Sequence, residues 1–210
     1  MAKYIRPSCR LCRREGIKLF LKGTKCTTDK CPVSRRAYPP GQHGQNQRRP
    51  KASNYGVQLR EKQKVKRMYG VLEHQFKHYF RMAERAKGAT GLKLLELLER
   101  RVDNVVFRMN IASSRASARQ LVDHGFVYVN DKRVDIPSYL VKPGDEVALK
   151  VSEPMKKRLD ETRELIKDRI IPKWIAVEMK ELKAKITNLP TKDDVGFPIQ
   201  EQLIVELYSK

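Results

Sequence analysis

The sequence predicts an α+β protein with three parts: a metal-stapled basic N-terminal arm, a helical domain, and an inserted module of two helices plus a small antiparallel sheet. Three observations lead there. The 210 residues carry 45 Lys and Arg against 24 Asp and Glu, a net charge of +21, and residues 1–67 hold nineteen of those cations but only three of the acids. All four cysteines lie in the first 31 residues. Beyond Gly125 the apolar period changes from 3.6 to 2.

Taken in order, residues 1–51 form the arm. Pro39-Pro40-Gly41 and Gly44 punctuate it, and helical periodicity is scarce. From Asn54 the pattern turns helical. Residues 55–69 are rich in Lys, Arg and Gln with few apolar positions, which predicts a helix that buries little and shows much charge. Val71, Leu72, Gln75, Phe76, Tyr79, Phe80, Met82 and Ala83 then recur near one face, and Gly88 stops that helix. Leu92, Leu95 and Leu98, flanked by Leu94 and Leu97, predict a short buried helix. Val102, Val105, Val106 and Met109 repeat helical spacing up to Asn110.

Ser113 and Ser114 are N-cap candidates for a helix from Arg115 to about His124, closed by Gly125. Its Ala118, Leu121 and Val122 are read as inward, with Arg115 and Arg119 sharing an outer face. Residues 126–129 predict a strand, Asn130-Asp131 a tight turn, and residues 132–134 the return. Pro143-Gly144-Asp145 is another turn and residues 146–151 another strand. Residues 155–169 predict an exposed charged helix. Residues 174–177, 182–186 and 203–207 are further strand or short helical pieces, and 189–196 a loop.

Composition bounds the function. Forty per cent hydrophobic residues permit a core, so the chain is not wholly disordered. A charge of +21 repels itself in a compact fold until a polyanion neutralises it, and phosphate backbones do so with release of counterions. An anionic membrane surface is the weaker reading. No run of 18 apolar residues exists, and Met1-Ala2-Lys3-Tyr4 leads into no apolar segment, so a cytoplasmic protein with no membrane partner is expected.

The cysteines are spaced C-x-x-C, thirteen residues, then C-x-x-x-x-C: Cys9, Cys12, Cys26 and Cys31. Two short chelating pairs across such a loop suit tetrahedral thiolate coordination, and metal binding would fold an arm with little core of its own. One zinc ion is the default; an iron–sulfur cluster on the same cysteines is the alternative. Two disulfides are disfavoured in a reducing cytosol, and a redox C-x-x-C lacks a thioredoxin-like context. His74 and His78 share a helical face but have no third ligand nearby, and His124 is read as stabilising a helix end.

Residues 101–108, 114–125, 127–130 and Lys142-Pro143-Gly144-Asp145 resemble the alpha-L RNA-binding motif of ribosomal and RNA-modifying proteins. Residues 38–44 (YPPGQHG) and the ending QLIVELYSK are similar to the bacterial small-subunit ribosomal protein four family, specifically its four-cysteine, zinc-binding branch. The resemblance spans essentially the whole chain. It implies a domain layout of arm 1–51, helical domain 52–98 with the tail 199–210 packing back on it, and an alpha-L domain with following strands at 99–198. It further implies a structural constituent of the small ribosomal subunit that binds the five-prime domain of its RNA, nucleates assembly of the subunit body and contributes to translational accuracy. Implied neighbours are ribosomal protein five, other small-subunit proteins and messenger RNA near the entry channel. Some members repress their own messenger.

The RNA-contact candidates follow. Arg115, Arg119 and Gln120 lie on the helix that the motif presents to RNA, where guanidinium groups grip phosphate bidentately. Arg35, Arg36, Gln42, His43, Gly44, Arg48 and Arg49 lie in a loop segment whose glycines permit close backbone approach. Lys62, Lys64, Lys66 and Arg67 are phosphate-contact candidates on the charged helix. Tyr38 could stack on a base or pack on Pro39.

Two other functions fit the sequence less well. An RNA-modifying enzyme needs a catalytic domain, and no nucleophile–base pair, nucleotide loop or small-molecule pocket is legible. A zinc-finger DNA regulator needs a recognition helix between its cysteines, which the intervening residues do not supply.

Overall fold

The computed structural model describes residues 4–45, 53–167, 169–178 and 181–209. Its helices are α1 (Cys9–Glu15), α2 (Pro32–Arg35), α3 (Asn54–Met68), α4 (Glu73–Arg85), α5 (Thr90–Glu99), α6 (Val102–Arg108), α7 (Arg115–Asp123), α8 (Glu153–Glu164) and α9 (Glu201–Tyr208). Its strands are β1 (Val127–Val129), β2 (Lys132–Arg133), β3 (Glu146–Leu149), β4 (Ile175–Glu178) and β5 (Lys183–Ile186), and short 3-10 turns cover Gly23–Cys26 and Asp193–Val195. The chain divides into two compact units. One comprises Leu94–Gly196; the other joins Ala2–Lys93 to Phe197–Lys210.

In the Leu94–Gly196 unit, five antiparallel strands pair in the order β2-β1-β3-β5-β4. Val127 pairs with Leu149, Val147 with Ala184 and Val177 with Ala184, so alternate residues supply one apolar face. That face meets Val102, Val105, Val106 and Met109 of the α6 segment and Ala118, Leu121 and Val122 of α7, with Trp174 buried among them. Each such buried aliphatic side chain contributes about 1.5–3 kcal/mol. Ser114 caps α7 by accepting from the Ser117 N–H at 3.2 Å, and Gly125 closes it at φ +74.

Asn130 (φ 49) and Asp131 (φ 61) form the left-handed two-residue turn that joins β1 to β2 with the twist strands prefer. Asn130 also donates from Nδ2 to Asp145 Oδ1 at 2.8 Å and accepts from the Glu146 N–H at 2.9 Å. The hairpin turn and the Pro143-Gly144-Asp145 turn are thereby tied together.

The same unit holds a buried polar network. Glu99, fully buried, accepts from Arg108 Nε and Nη2 at 3.0 and 2.7 Å and from Asn104 Nδ2 at 2.7 Å. Arg101, also fully buried, pairs with both oxygens of Asp103 at 3.0 and 2.6 Å.

In the other unit, α9 packs on α3 and carries Tyr208 to Phe80 and Phe76, with ring centroids 4.5 and 6.3 Å apart. Gln58 donates to Glu206 at 2.8 Å, the Gln200 N–H to Glu61 at 2.9 Å, and Lys64 to the Pro198 carbonyl at 3.0 Å.

Several sequence expectations need correction. The arm holds helices α1 and α2, which periodicity missed because the buried residue of α1 is a cysteine, Cys12. α3 buries Gln58, Lys62, Val65 and Met68, so it is less exposed than its composition suggests; α9 covers it. Leu92 is exposed, unlike Leu94, Leu95, Leu97 and Leu98. Residues 203–207, left open between strand and short helix by their pattern, are helical, within α9.

Glu99→Ala leaves the Arg108 guanidinium buried without its carboxylate and should cost about 3–5 kcal/mol. Trp174, the protein's one tryptophan, lies buried in the same unit, so urea unfolding followed by its fluorescence reads the loss directly. An unchanged midpoint would contradict a structural role for the pair.

Candidate nucleic-acid interface

The candidate residues fall in two sets, one on the arm and helix α3 of the unit that joins Ala2–Lys93 to Phe197–Lys210, and one on helix α7 of the Leu94–Gly196 unit. In the arm, Cys12, Cys26 and Cys31 are buried and Cys9 is half-buried, all four as free thiols. Burial pushes the Cys12 and Cys26 thiols above their ordinary value; a backbone N–H from Leu19 on Cys12 and from Lys22 on Cys26 pulls the other way. The remaining cysteines act coulombically on both, which brings the set within electrostatic reach. The Lys22 N–H lies 3.4 Å from Cys26 Sγ. Among the described residues, however, no three His, Cys, Asp or Glu side chains meet in an arrangement that could hold a metal ion. The donor set fits zinc chemically, four thiols with backbone amides turned toward two of them.

Glu15 fixes α1 to α3. Its carboxylate, with 2% of the side chain exposed, pairs with Arg60 at 3.3 Å and closely with Arg67. Burial raises the Glu15 carboxyl above its ordinary value, and the two arginines offset part of that rise. Arg13, from the same helix, clamps the following loop. Its Nε and Nη2 donate to the Tyr38 and Pro39 carbonyls at 3.1 and 3.2 Å, and its guanidinium lies 4.8 Å from the Tyr38 ring centroid.

Tyr38 is therefore stacked by an arginine of its own chain. Gly44 is buried, and a Cβ there would sit 2.0 Å from the Pro39 carbonyl oxygen. The close backbone approach inferred for this glycine is to the loop itself. Gln42 and His43 beside it are exposed, as are Arg35 and Arg36. Arg48 and Arg49 lie outside the described residues.

The α3 cations are largely engaged within the protein. Lys62 and Lys66 donate to the two oxygens of Glu73 at 2.7 and 2.6 Å, and Tyr208 donates its hydroxyl to the same carboxylate at 2.9 Å. Lys64 pairs with Glu61 at 2.6 Å, and Arg67 with Glu15. Lys62 is itself buried, 8% exposed. Helical spacing alone hides most of this, because Glu73 and Glu15 come from other segments; only Glu61 lies on α3 itself.

On α7, Gln120 is exposed and Arg115 half-buried. Arg115 donates from Nε to Asn104 Oδ1 at 2.8 Å, which links it to the Glu99 network, and it lies 4.4 Å from the Phe107 centroid. Arg169 lies against the same ring at 4.3 Å and donates to the Ala112 and Ser113 carbonyls. Burial first, then the charges of Arg115 and Arg108, lower the Arg169 pKa. Arg119 is not on an outer face: it is only 7% exposed. Residues 115, 118, 119 and 122 form one i, i+3, i+4, i+7 stripe, so Arg119 shares the inward side with Ala118 and Val122. Glu15, Arg13 and Arg169 were not singled out from sequence, because each acts through a partner remote in the chain, and the turn residue Asn130 was read without its bond to Asp145.

Comparison with known proteins now places the molecule. The model "Ribosomal protein S4/S9 N-terminal domain" matches residues 3–99, and the model "S4 domain" matches residues 100–147. The chain is thus of the class that joins these two domains. It is 58% identical to the small ribosomal subunit protein uS4 of Caldicellulosiruptor saccharolyticus, 56% to that of Acetivibrio thermocellus and 54% to that of Halothermothrix orenii, each over the full length of both chains. It belongs to the small ribosomal subunit protein uS4 family.

The Glu73 cluster carries a pH signature. Burial opposes its ionisation, but hydrogen bonds from Lys62, Lys66 and Tyr208 prevail and lower its pKa from 4.5 to about 2. A carboxyl depressed in the folded state stabilises it above the unfolded value, and that stabilisation is lost as pH falls through the folded value. Glu73→Gln should therefore melt at lower temperature than wild type at neutral pH, with the gap shrinking between about pH 5 and pH 2. Circular dichroism melts across that range check it; a gap independent of pH would refute the clamp.

Proposed function

We propose that this protein is a structural constituent of the small ribosomal subunit that binds small-subunit ribosomal RNA directly, nucleates assembly of the subunit body and contributes to translational accuracy. It is not an enzyme, and it works on the cytoplasmic ribosome. The observation that carries this reading is the end-to-end likeness to proteins named small ribosomal subunit protein uS4, on a chain of net charge +21. The charge gives the physical mechanism: cations displace counterions from phosphates, and the entropy of that release drives binding. No helix of the described residues is long and apolar enough to cross a membrane.

The finer assignments are part of the same proposal. The four cysteines hold one zinc ion, or an iron–sulfur cluster, and the metal draws α1, the Gly23–Cys26 turn and the start of α2 together. Bound metal supplies a structural staple and no chemistry. Arg35, Arg36, Gln42, His43, Arg48 and Arg49 lie along RNA, with Gly44 closing their loop, and Arg115 and Gln120 meet RNA from α7, with Arg119 packed on the inward side of that helix. Lys62, Lys64, Lys66 and Arg67 contribute mainly field, since carboxylates already engage their head groups. Neighbours on the subunit are ribosomal protein five, other small-subunit proteins and messenger RNA near the entry channel.

Two measurements test this. Filter binding of full-length protein to the five-prime domain of small-subunit RNA should weaken steeply and linearly on a log–log salt axis, with preference over random polyanions; a flat slope would refute the electrostatic mechanism. Protein prepared anaerobically under reducing conditions should carry about one zinc, or a stoichiometric cluster, per chain. Cys26→Ser should lose the metal and expose the arm to protease. Absence of both metals from wild type would end the staple proposal.

A further inference from the structure

The unit that joins Ala2–Lys93 to Phe197–Lys210 presents a second cationic surface, on α4. Its buried side is Phe76, Tyr79, Phe80 and Ala83. Opposite them lie His74, Lys77, His78, Arg81 and Arg85, all exposed. Their spacing is i, i+3, i+4, i+7 and i+11, a single stripe on a helix of 3.6 residues per turn. From His74 to Arg85 the stripe is a straight array about 17 Å long.

The contrast with α3 is the decisive feature. There the cations are paired with Glu61, Glu73 and Glu15. Among the described residues, Lys77, Arg81 and Arg85 form no ion pair or side-chain hydrogen bond. Helix α4 carries two carboxylates, neither within the stripe: Glu73 is held by Lys62 and Lys66, and Glu84 sits at the stripe's edge.

We infer that this face of α4 is a docking surface for the phosphate backbone of an RNA helix. The inference rests on the RNA-binding reading above and names a surface for it beyond the arm, α3 and α7. Charge complementarity selects the partner: a linear run of unpaired cations on a rigid rod matches a linear run of phosphates. The stripe has no exposed Tyr, Phe or Trp on which unpaired bases would stack, which favours backbone over base recognition.

The test is salt-dependent filter binding of the full-length protein to small-subunit ribosomal RNA, between about 50 and 200 mM salt. The triple variant Lys77→Gln, Arg81→Gln, Arg85→Gln should lower the log–log slope by about 2–3 and weaken binding at least about tenfold at the upper salt. Glutamine keeps helix propensity, and circular dichroism checks the fold. A charge-conserving set, Lys77→Arg, Arg81→Lys and Arg85→Lys, should bind like wild type. A control set on and after α8, Lys157→Gln, Arg158→Gln and Lys167→Gln, removes the same charge from exposed positions and should leave the slope unchanged.

Wild-type behaviour in the α4 triple variant would overturn the proposal while leaving RNA binding intact. Equal loss in the α8 set would overturn it too, since net charge alone would then account for the effect. Failure of the wild type to bind RNA at all would remove the underlying reading as well.

Discussion

The structure depends on a few acidic side chains that tie a strongly cationic chain together. Glu15 joins α1 to α3 through Arg60 and Arg67. Glu73 gathers Lys62, Lys66 and Tyr208, and so links α3, α4 and α9. Glu99, fully buried, holds Arg108 and Asn104. A chain of net charge +21 cannot fold on apolar burial alone if every cation stays near another. Placing each of these carboxylates between two or more donors removes the worst repulsion where the segments meet. The same arrangement makes the clamps sensitive, because a guanidinium left buried without its partner costs more than the pair contributes.

This division of labour separates structural cations from those available to a polyanion. Arg108 and Arg101 lie inside, on Glu99 and Asp103. Arg115 and Arg169 occupy an intermediate position, held by Asn104, backbone carbonyls and the Phe107 ring. A side chain so held has little rotamer freedom left to lose when it meets a phosphate. Arg35, Arg36 and the outward residues of α4 are exposed. Burial, and not residue type, sorts the arginines of this protein by role.

Much of the sheet module was legible in the sequence. Strand alternation at 127–129, the Asn130-Asp131 turn, the Ser114 cap and the Gly125 stop are local signals, each set by backbone sterics or a hydrogen bond within four residues. Other features were not. α1 escaped because a seven-residue helix whose buried side chain is Cys12 has no hydrophobic period. The burial of Arg119 was misjudged because arginine suggests an outer face, although its spacing from Ala118 and Val122 places it inward. Lys62 looked free because Glu73 lies eleven residues away on another helix.

By itself the sequence determined the α+β class, the excess of positive charge toward the N-terminus, the grouping of four cysteines and the motif residues that mark the family. These follow from composition, spacing and local conformational preference. Only the tertiary structure decided which cations face solvent, that the tail forms a helix against α3, and that Asn130 joins two turns fifteen residues apart. The reason is physical: ion pairs and hydrogen bonds between remote segments depend on where the chain returns, and a linear pattern carries no record of that return.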